Sequence, residues 1–443
     1  MIKNNILVYH RDYDKDLYTE IAKNTFKNYN HISLCEKKEF DQSGFSKKFY
    51  KNINSKKKYR LSKNETIEII KRDRVLRSIG YRLSRKMIFS TCISIEQILD
   101  EIKPKYIFSR AVDSYVIDIL ARISKKKKVP FLSIIGVPIL GYFRVTTYGE
   151  KNLKKKKVFT NKSLIKKILL KKNYVPKWLE KDLFNVKRKL IIRWFKNCLR
   201  IPFFLLRHLL IDKYNHHYLA SYIIAKKHFS FIPCREPGNI NWIDVLNKKK
   251  MNIYLPLQTF PESTIDYWCN NLEYIDYYNN LFKLIKKFSK LNFFLKEHPS
   301  VLGARPKNLY NKLSNFKNVT FIPTFTNSNM ILEKIDCVFL YTGTIGLEAL
   351  IRGKPVISFT KSYYSYGPRF KIINKNTKLK EIEMFINKFK NKKITFNEQD
   401  KIINNFSKQL FKGKLKSHLE WNKKNSEDIM DAKKIAKSLK DQL

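Results

Sequence analysis

Apolar and polar positions along this chain fall into short blocks whose period alternates between two and about three and a half, the repeats of strands and helices. Residues 5–10 (NILVYH) are nearly all apolar over the length of a strand buried on both faces. DKDLYTEIAKNTF from Asp14 then places apolar residues at helical spacing, and HISLCEK from His31 returns to a strand. This βαβ opening predicts parallel strands joined through helices. The polar stretch 41–64 reads as an exposed loop, and 65–102 carries helical spacing throughout, as one long helical region. After Pro104 the alternation restarts with strand KYIFSR, helix SYVIDILARISKKKK and strand VPFLSIIG, which runs into Gly136 and Pro138.

From 151 to 246 the pattern becomes helical and rich in Lys, Arg, Trp and Phe, as in KRKLIIRWFKNCLRIPFFLLRHLLI. Its apolar part is too short and too charged to span a bilayer, which takes about 20 mostly apolar residues. Two readings stay open: a helical insertion packed on the first domain, or a helix lying on a membrane surface. A second α/β block follows, with strands MNIYLPLQ, NFFLKEHP, NVTFIP, CVFLYTG and PVISF separated by four helical patterns. Five strands so spaced predict a second doubly wound parallel sheet. Beyond Asn374 the patterns are mainly helical. The predicted organisation is a Rossmann-like domain (1–150), a basic helical insertion (151–246), a second Rossmann-like domain (247–375) and C-terminal helices (376–443).

Composition changes this picture in one respect. The 443 residues hold 90 Lys and Arg against 38 Asp and Glu, a net charge of +52. The Lys and Asn excess runs the whole length of the chain, as a compositional bias would. No nucleic-acid signature accompanies it, and the Lys runs lack interleaved aromatics. Nucleic acid is therefore not the expected partner, whereas an anionic membrane surface attracts polybasic segments without needing a fold. Cys35, Cys92, Cys198, Cys234, Cys269 and Cys337 have no ligand-like spacing, and Met1 leads into a strand. These features lead us to expect a reduced, cytoplasmic protein, peripheral to the membrane if attached, with no metal and no cofactor.

In open parallel sheets ligands bind beyond the carboxyl ends of strands. After MNIYLPL come Gln258, Thr259, Pro261, Glu262 and Ser263; after NFFL come Lys296, Glu297, His298 and Pro299; after CVFLY come Thr342, Gly343 and Thr344, before a helix carrying Glu348. Thr342-Gly343-Thr344 has the parts of a phosphate cradle, with hydroxyls and helix amides, though Thr344 could merely cap its helix. Glu348 suits a ribose diol or is an ordinary helix residue. His298 can donate to a phosphate with Lys296 nearby, or make only a backbone hydrogen bond.

LPLQTFPEST, FFLKEHPS and LYTGTIGLEALIRGKPVISFTKSYY, in this order and spacing, resemble the capsule polysaccharide biosynthesis proteins of bacteria. That family is similar to GT-B glycosyltransferases, including transferases of Kdo and sialic acid. The resemblance covers roughly Asn252 to Tyr366, and the N-terminal domain in layout only. It implies two Rossmann-like domains facing a cleft. It also implies phosphate contacts from His298, Pro299 and Thr342 to Thr344, with Glu348 toward the nucleotide. SYYSYGP stands where the Kdo members carry glycine and tryptophan, which sets this chain apart from them.

An acceptor site on the first domain calls for an acid or base there. Asp113, after KYIFSR, is the first candidate, His10 the second and Glu150 a distant third; Asp113 could equally be a helix cap. The expected function is transfer of a sugar from a CMP- or UDP-activated donor to a surface polysaccharide or lipid-linked glycan. A UDP-sugar 2-epimerase shares the layout, and a non-catalytic polysaccharide-export or nucleic-acid-binding protein is the alternative outside enzymes.

Overall fold

The computed structural model describes residues 4–55, 57–153, 162–171, 183–229, 237, 241–247, 249–302, 305–306, 308–416 and 420–443. Its first sheet contains β1 (Asn5–Tyr9), β2 (Asn30–Leu34), β3 (Tyr106–Arg110), β4 (Phe131–Gly136), β5 (Tyr142–Tyr148) and β6 (Lys151–Asn152). The second contains β7 (Asn252–Pro256), β8 (Asn292–Lys296), β9 (Val319–Ile322), β10 (Cys337–Leu340), β11 (Val356–Ser358) and β12 (Phe370–Ile372). A last strand, β13 (Leu410–Lys412), returns to the first sheet, whose order is β13-β5-β4-β3-β1-β2 with β6 beside β5. β1 to β4 run parallel, whereas β5 and β13 add antiparallel edges that the sequence pattern did not announce.

The second sheet is parallel throughout in the order β12-β11-β10-β7-β8-β9. Its central strands read as unbroken apolar runs because both faces are covered. On β7 Ile253 and Leu255 enter one core and Tyr254 the other; on β8 Phe293 and Leu295 oppose Phe294; on β10 Cys337 and Phe339 oppose Val338 and Leu340. The first sheet likewise has a core on each face. The expected doubly wound α/β fold with two Rossmann-like domains is therefore present.

Three local expectations change. The stretch 41–64 is not all loop: Phe45–Ile53 is a helix that buries Phe45, Phe49 and Ile53, four residues apart, beneath its exposed lysines. The region 65–102 is two helices, Lys63–Arg72 and Tyr81–Ile102. Between them the buried Asp73 accepts the backbone amides of Val75 and Leu76 at 2.8 and 2.9 Å, and helical hydrogen bonding stops there. The C-terminal segment is divided, because β13 joins the first sheet and helix Ser426–Lys440 packs on helix Lys15–Thr25. The chain thus ends on the domain where it began.

The insertion, in its described part, forms helices Lys162–Leu170, Leu183–Leu206 and His216–Phe229. The last two are a hairpin that bridges the domains. Val186 and Leu190 pack on Leu302 of the second domain, while Leu219 and Ala220 enter the core of the first. A second tie is polar. Arg72 donates to the carbonyls of Asp266 and Cys269 at 3.1 and 2.9 Å, Arg77 pairs with Asp266 at 2.9 Å, and the Tyr267 hydroxyl donates to Asp73 at 2.7 Å. Asp73 also faces His216 at 3.4 Å; burial alone would raise its pKa, but His216 and the hydrogen bonds hold it well below the ordinary range.

Candidate functional site

The strand order of the second sheet reverses between β7 and β10, and at such a switch point the loops after the two strands diverge and leave a crevice. A cavity of about 620 Å³ lies there. Gln258, Glu262, Lys296, His298, Pro299, Thr342, Gly343, Thr344 and Glu348 all line it, together with Gly136, Pro138 and Glu150 from the first domain. The nine residues expected to hold a nucleotide, read from three separate loops, thus share one space.

Each wall has a local cause. Thr342 donates its hydroxyl to the Gln258 side-chain oxygen at 3.3 Å, joining the loops after β7 and β10. Between Thr342 and Thr344, Gly343 has φ +120°, a conformation disfavoured for residues with a Cβ, and its missing Cβ would stand 3.3 Å from Gln258 Nε2. Helix Ile345–Ile351 can approach the loop after β11 because Gly346 has no side chain; a Cβ there would meet Tyr364 at 2.6 Å. Thr344 stands at the head of this helix and makes no side-chain cap bond. Thr344 lines the cavity and has no capping duty.

The loop after β8 is held from behind. Arg305 grips Glu297 with two nitrogens at 2.5 and 2.8 Å and donates to the Gln258 carbonyl at 2.7 Å, while the Tyr310 hydroxyl donates to Glu297 at 2.6 Å. Glu297 and Arg305 are buried, so this bidentate pair fixes the ends of β7 and β8 relative to each other. Nothing in the sequence pattern pointed to Arg305. Next to it, Pro299 opens a short helical turn, and the Ser300 amide donates to His298 Nδ1 at 3.3 Å. With Nδ1 accepting, the neutral ring carries its proton on Nε2. Burial pushes the His298 pKa down to about 4, against the attraction of Glu297, so at neutral pH the imidazole is an uncharged donor.

Lys296 and Glu348 line the cavity as an opposed pair of charges. Burial pushes Lys296 down to about 8 and Glu348 up to about 7, each countered in part by the other. Lys296 Nζ also lies 3.4 Å from Ser328 Oγ. Glu262 is pushed up by burial and accepts the Thr264 hydroxyl at 2.9 Å. The cavity therefore offers hydroxyls, a neutral imidazole and one buried cation to an anion, and two reluctant carboxyls to hydroxyl groups.

The first domain supplies something different from what its strand ends suggested. Asp113 does not line the cavity; it sits between Arg11 at 2.8 Å and Arg110 at 3.1 Å. Burial would raise its pKa, but the two guanidiniums hold it below the ordinary value. Nor is it the helix cap: Ser114 occupies that position, and the Tyr115 amide is taken by Asp73 at 2.8 Å. His10 is fully buried, with Nδ1 3.1 Å from the Arg11 carbonyl, and it too is absent from the cavity wall. Glu150, the third candidate, is present there, paired at 2.8 Å with a buried Arg144 that stacks over Tyr363. Asn327 and Ser328 after β9, and Ser362 after β11, complete the wall. The rule applied to the other strand ends would have found them too.

Among the described residues no cluster of three His, Cys, Asp or Glu side chains could hold a metal ion, and no helix is long and apolar enough to cross a membrane. Cys35, Cys92, Cys198, Cys269 and Cys337 are free thiols, and Cys234 lies outside the described residues.

Residues 196–367 match the family described as capsule polysaccharide biosynthesis protein, which bears out the resemblance carried by the three motifs. No curated protein sequence matches the chain. Among solved structures it is similar to the KpsC β-Kdo 2,7 transferase of Thermosulfurimonas dismutans, with 12% identity, 94% of each chain covered and a TM-score of 0.37. It is also similar to the UDP-GlcNAc 2-epimerase of Methanocaldococcus jannaschii bound to UDP-GlcNAc and UDP, with 12% identity, 92% of this chain and 98% of that one covered, and a TM-score of 0.31. Neither superposition is close enough to transfer chemistry.

Proposed function

We propose that the chain is a glycosyltransferase of capsule or surface-glycan synthesis. It takes a nucleotide-activated sugar in the cavity between its domains and passes the sugar to a polysaccharide or lipid-linked acceptor. The carrying observation is the convergence of Lys296, His298, Thr344 and Glu348 on one cavity at the switch point of a parallel sheet, within the stretch that matches the capsule family. In this reading Lys296, the His298 Nε2–H and the Thr344 hydroxyl take the donor's phosphate, and Glu348 takes a hydroxyl of the ribose. Charge on the leaving phosphate is met by these groups without a metal ion or cofactor. Glu150, facing them from the first domain, removes the proton of the acceptor hydroxyl.

Calorimetric titration with CMP, UMP, UDP and GDP tests the donor site. One of them binds, and His298→Ala weakens it by about tenfold or more, the loss of a hydrogen bond to a charged group. Absence of binding by all four overturns the reading. A second reading, UDP-sugar 2-epimerisation, has one observation in its favour: Glu348, with a pKa near 7, and a neutral His298 share the cavity, as acid/base chemistry requires. Incubation with UDP-sugars in deuterated water separates the two. Deuterium entering the sugar at C2 without an acceptor favours epimerisation.

A further inference from the structure

The bridging helix Leu183–Leu206, prolonged by a wider turn at Arg207–Ile211, has two apolar faces, and the protein uses one. Val186, Leu190 and Asn197 are buried along one stripe. At about 100° per residue, Ile192, Phe195, Leu199 and Leu206 fall on the opposite side. They face solvent: Phe195 is 61% exposed, Leu199 76% and Leu206 55%, and Leu210 in the following turn is 78% exposed. Of the 22 large apolar side chains exposed among the described residues, ten lie between 184 and 211. A surface helix ordinarily turns its polar side outward, so this concentration is not the scatter of single apolar residues that any surface shows.

The charges follow the same geometry. Arg193, Lys196 and Arg200, spaced by three and four, form a row along one edge between the buried and outward stripes. Residues 183–211 contain seven Lys and Arg and no Asp or Glu. Two copies meeting through this face would set those like charges against each other. An apolar stripe with a purely basic flank matches instead an acyl layer beneath anionic headgroups.

We propose that the outward face of helix 183–211 docks on an anionic lipid bilayer, lying in the headgroup plane with Phe195, Leu199, Leu206 and Leu210 in the acyl boundary and the basic edge on lipid phosphates. The surface stands on the helix geometry and not on the reading of the cavity. If that reading also holds, the docked helix brings the cavity to the membrane. Its buried residues Val186 and Leu190 pack with Leu302 and Phe325, and Phe325 lines the cavity wall, so the docked helix, about 10 Å thick, is all that stands between the bilayer and that wall.

The test is co-sedimentation of the full chain with phosphatidylcholine vesicles, with and without phosphatidylglycerol, at about 0.1 M and about 1 M salt. The parent binds the anionic vesicles and keeps part of that binding at high salt, because apolar insertion is not screened. Phe195→Ser with Leu199→Ser loses the salt-resistant part and at least about tenfold in affinity, while melting and nucleotide titration on the same samples stay as in the parent. Should the serine pair melt early, Lys196→Glu with Arg200→Glu decides, by a comparable loss on anionic vesicles alone. The proposal is overturned if the parent ignores anionic vesicles or if the folded variants bind as it does. It is equally overturned if the serine pair merely abolishes a dimer seen by ultracentrifugation, since the face would then join two copies. Nucleotide titration reads the cavity separately, so the two proposals fail independently.

Discussion

The carboxyl ends of the two sheets carry similar residues and behave in opposite ways. At the first, His10, Arg11, Arg110 and Asp113 stand where a ligand site is expected, but the charges pair with one another, and helix His216–Phe229 closes over them: His216 stacks near Tyr115 and His217 near Tyr13. At the second, Lys296, His298 and Glu348 are as deeply placed, yet they face a cavity and their pKa values move toward the neutral forms. A polar residue after a strand is therefore only a candidate. Its neighbours decide whether it spends its hydrogen bonds on the protein or keeps them for a ligand.

The largest effect expected from breaking this contrast is structural. Arg305→Leu leaves Glu297 buried without its bidentate partner and should lower stability by about 3–5 kcal/mol, the cost of breaking a buried pair. Because Arg305 also holds the Gln258 carbonyl, nucleotide affinity should fall with it. Urea unfolding and titration of the same sample check both; a variant as stable as the parent would mean the β7 and β8 loops are held by other contacts.

Next comes Asp113→Asn, which leaves Arg11 and Arg110 facing each other with one neutral group between them. We expect about 2–3 kcal/mol of lost stability and normal nucleotide affinity. The side chain keeps some access to solvent, so the cost stays below that of the Arg305 variant. A variant that folds like the parent but loses turnover would return Asp113 to catalysis.

These two variants mark the limit of what the sequence shows. Parallel strands buried on both faces print themselves as apolar runs, so β1, β3, β4, β7, β8 and β10 were legible, as were the residues directly after them. The antiparallel β5 and the short β13 were not: β5 folds back on its neighbour β4 behind the Gly136–Pro138 turn, and β13 is a three-residue strand whose partner, β5, lies far away in the sequence. Arg305 looked like a helix start, and the helix at Phe45–Ile53 hid behind its lysines. The mutual cancellation of Arg11, Arg110 and Asp113 needs three positions brought together from two loops, which periodicity does not encode. Glu150 ranked low because it follows no parallel strand; it reaches the cavity through the turn beyond β5.

Glu150→Gln sharpens the comparison at the level of chemistry. If the first domain supplies the base through Glu150, transfer should slow by about a hundredfold with nucleotide affinity unchanged. A radiolabelled-sugar assay at saturating donor reads it, and full activity would move the base elsewhere on the wall. A smaller effect follows from pH. Glu348 gains its negative charge near pH 7 and Lys296 loses its positive charge near pH 8, so both changes act against a bound phosphate. Nucleotide affinity should therefore fall by roughly tenfold between about pH 6.5 and 8.5. Glu348→Gln removes the lower step and leaves the one near 8, whereas a flat parent profile would show that neither charge is felt at the bound phosphate.

The smallest effect separates two threonines in one turn. Thr342 spends its hydroxyl on Gln258, while Thr344, at the head of helix Ile345–Ile351, makes no side-chain bond to that helix. A capping threonine changed to alanine ordinarily costs about 1 kcal/mol of stability. Thr344→Ala should cost less than half of that, because there is no cap bond to lose, yet weaken nucleotide binding by about fivefold through the hydroxyl it withdraws from the ligand. Thr342→Ala should do the reverse, loosening the joint between the β7 and β10 loops and lowering the melting point more than the affinity. Differential scanning calorimetry and nucleotide titration on the two variants give four numbers. The contrast between a residue kept for the ligand and one kept for the scaffold fails if the two threonines respond alike.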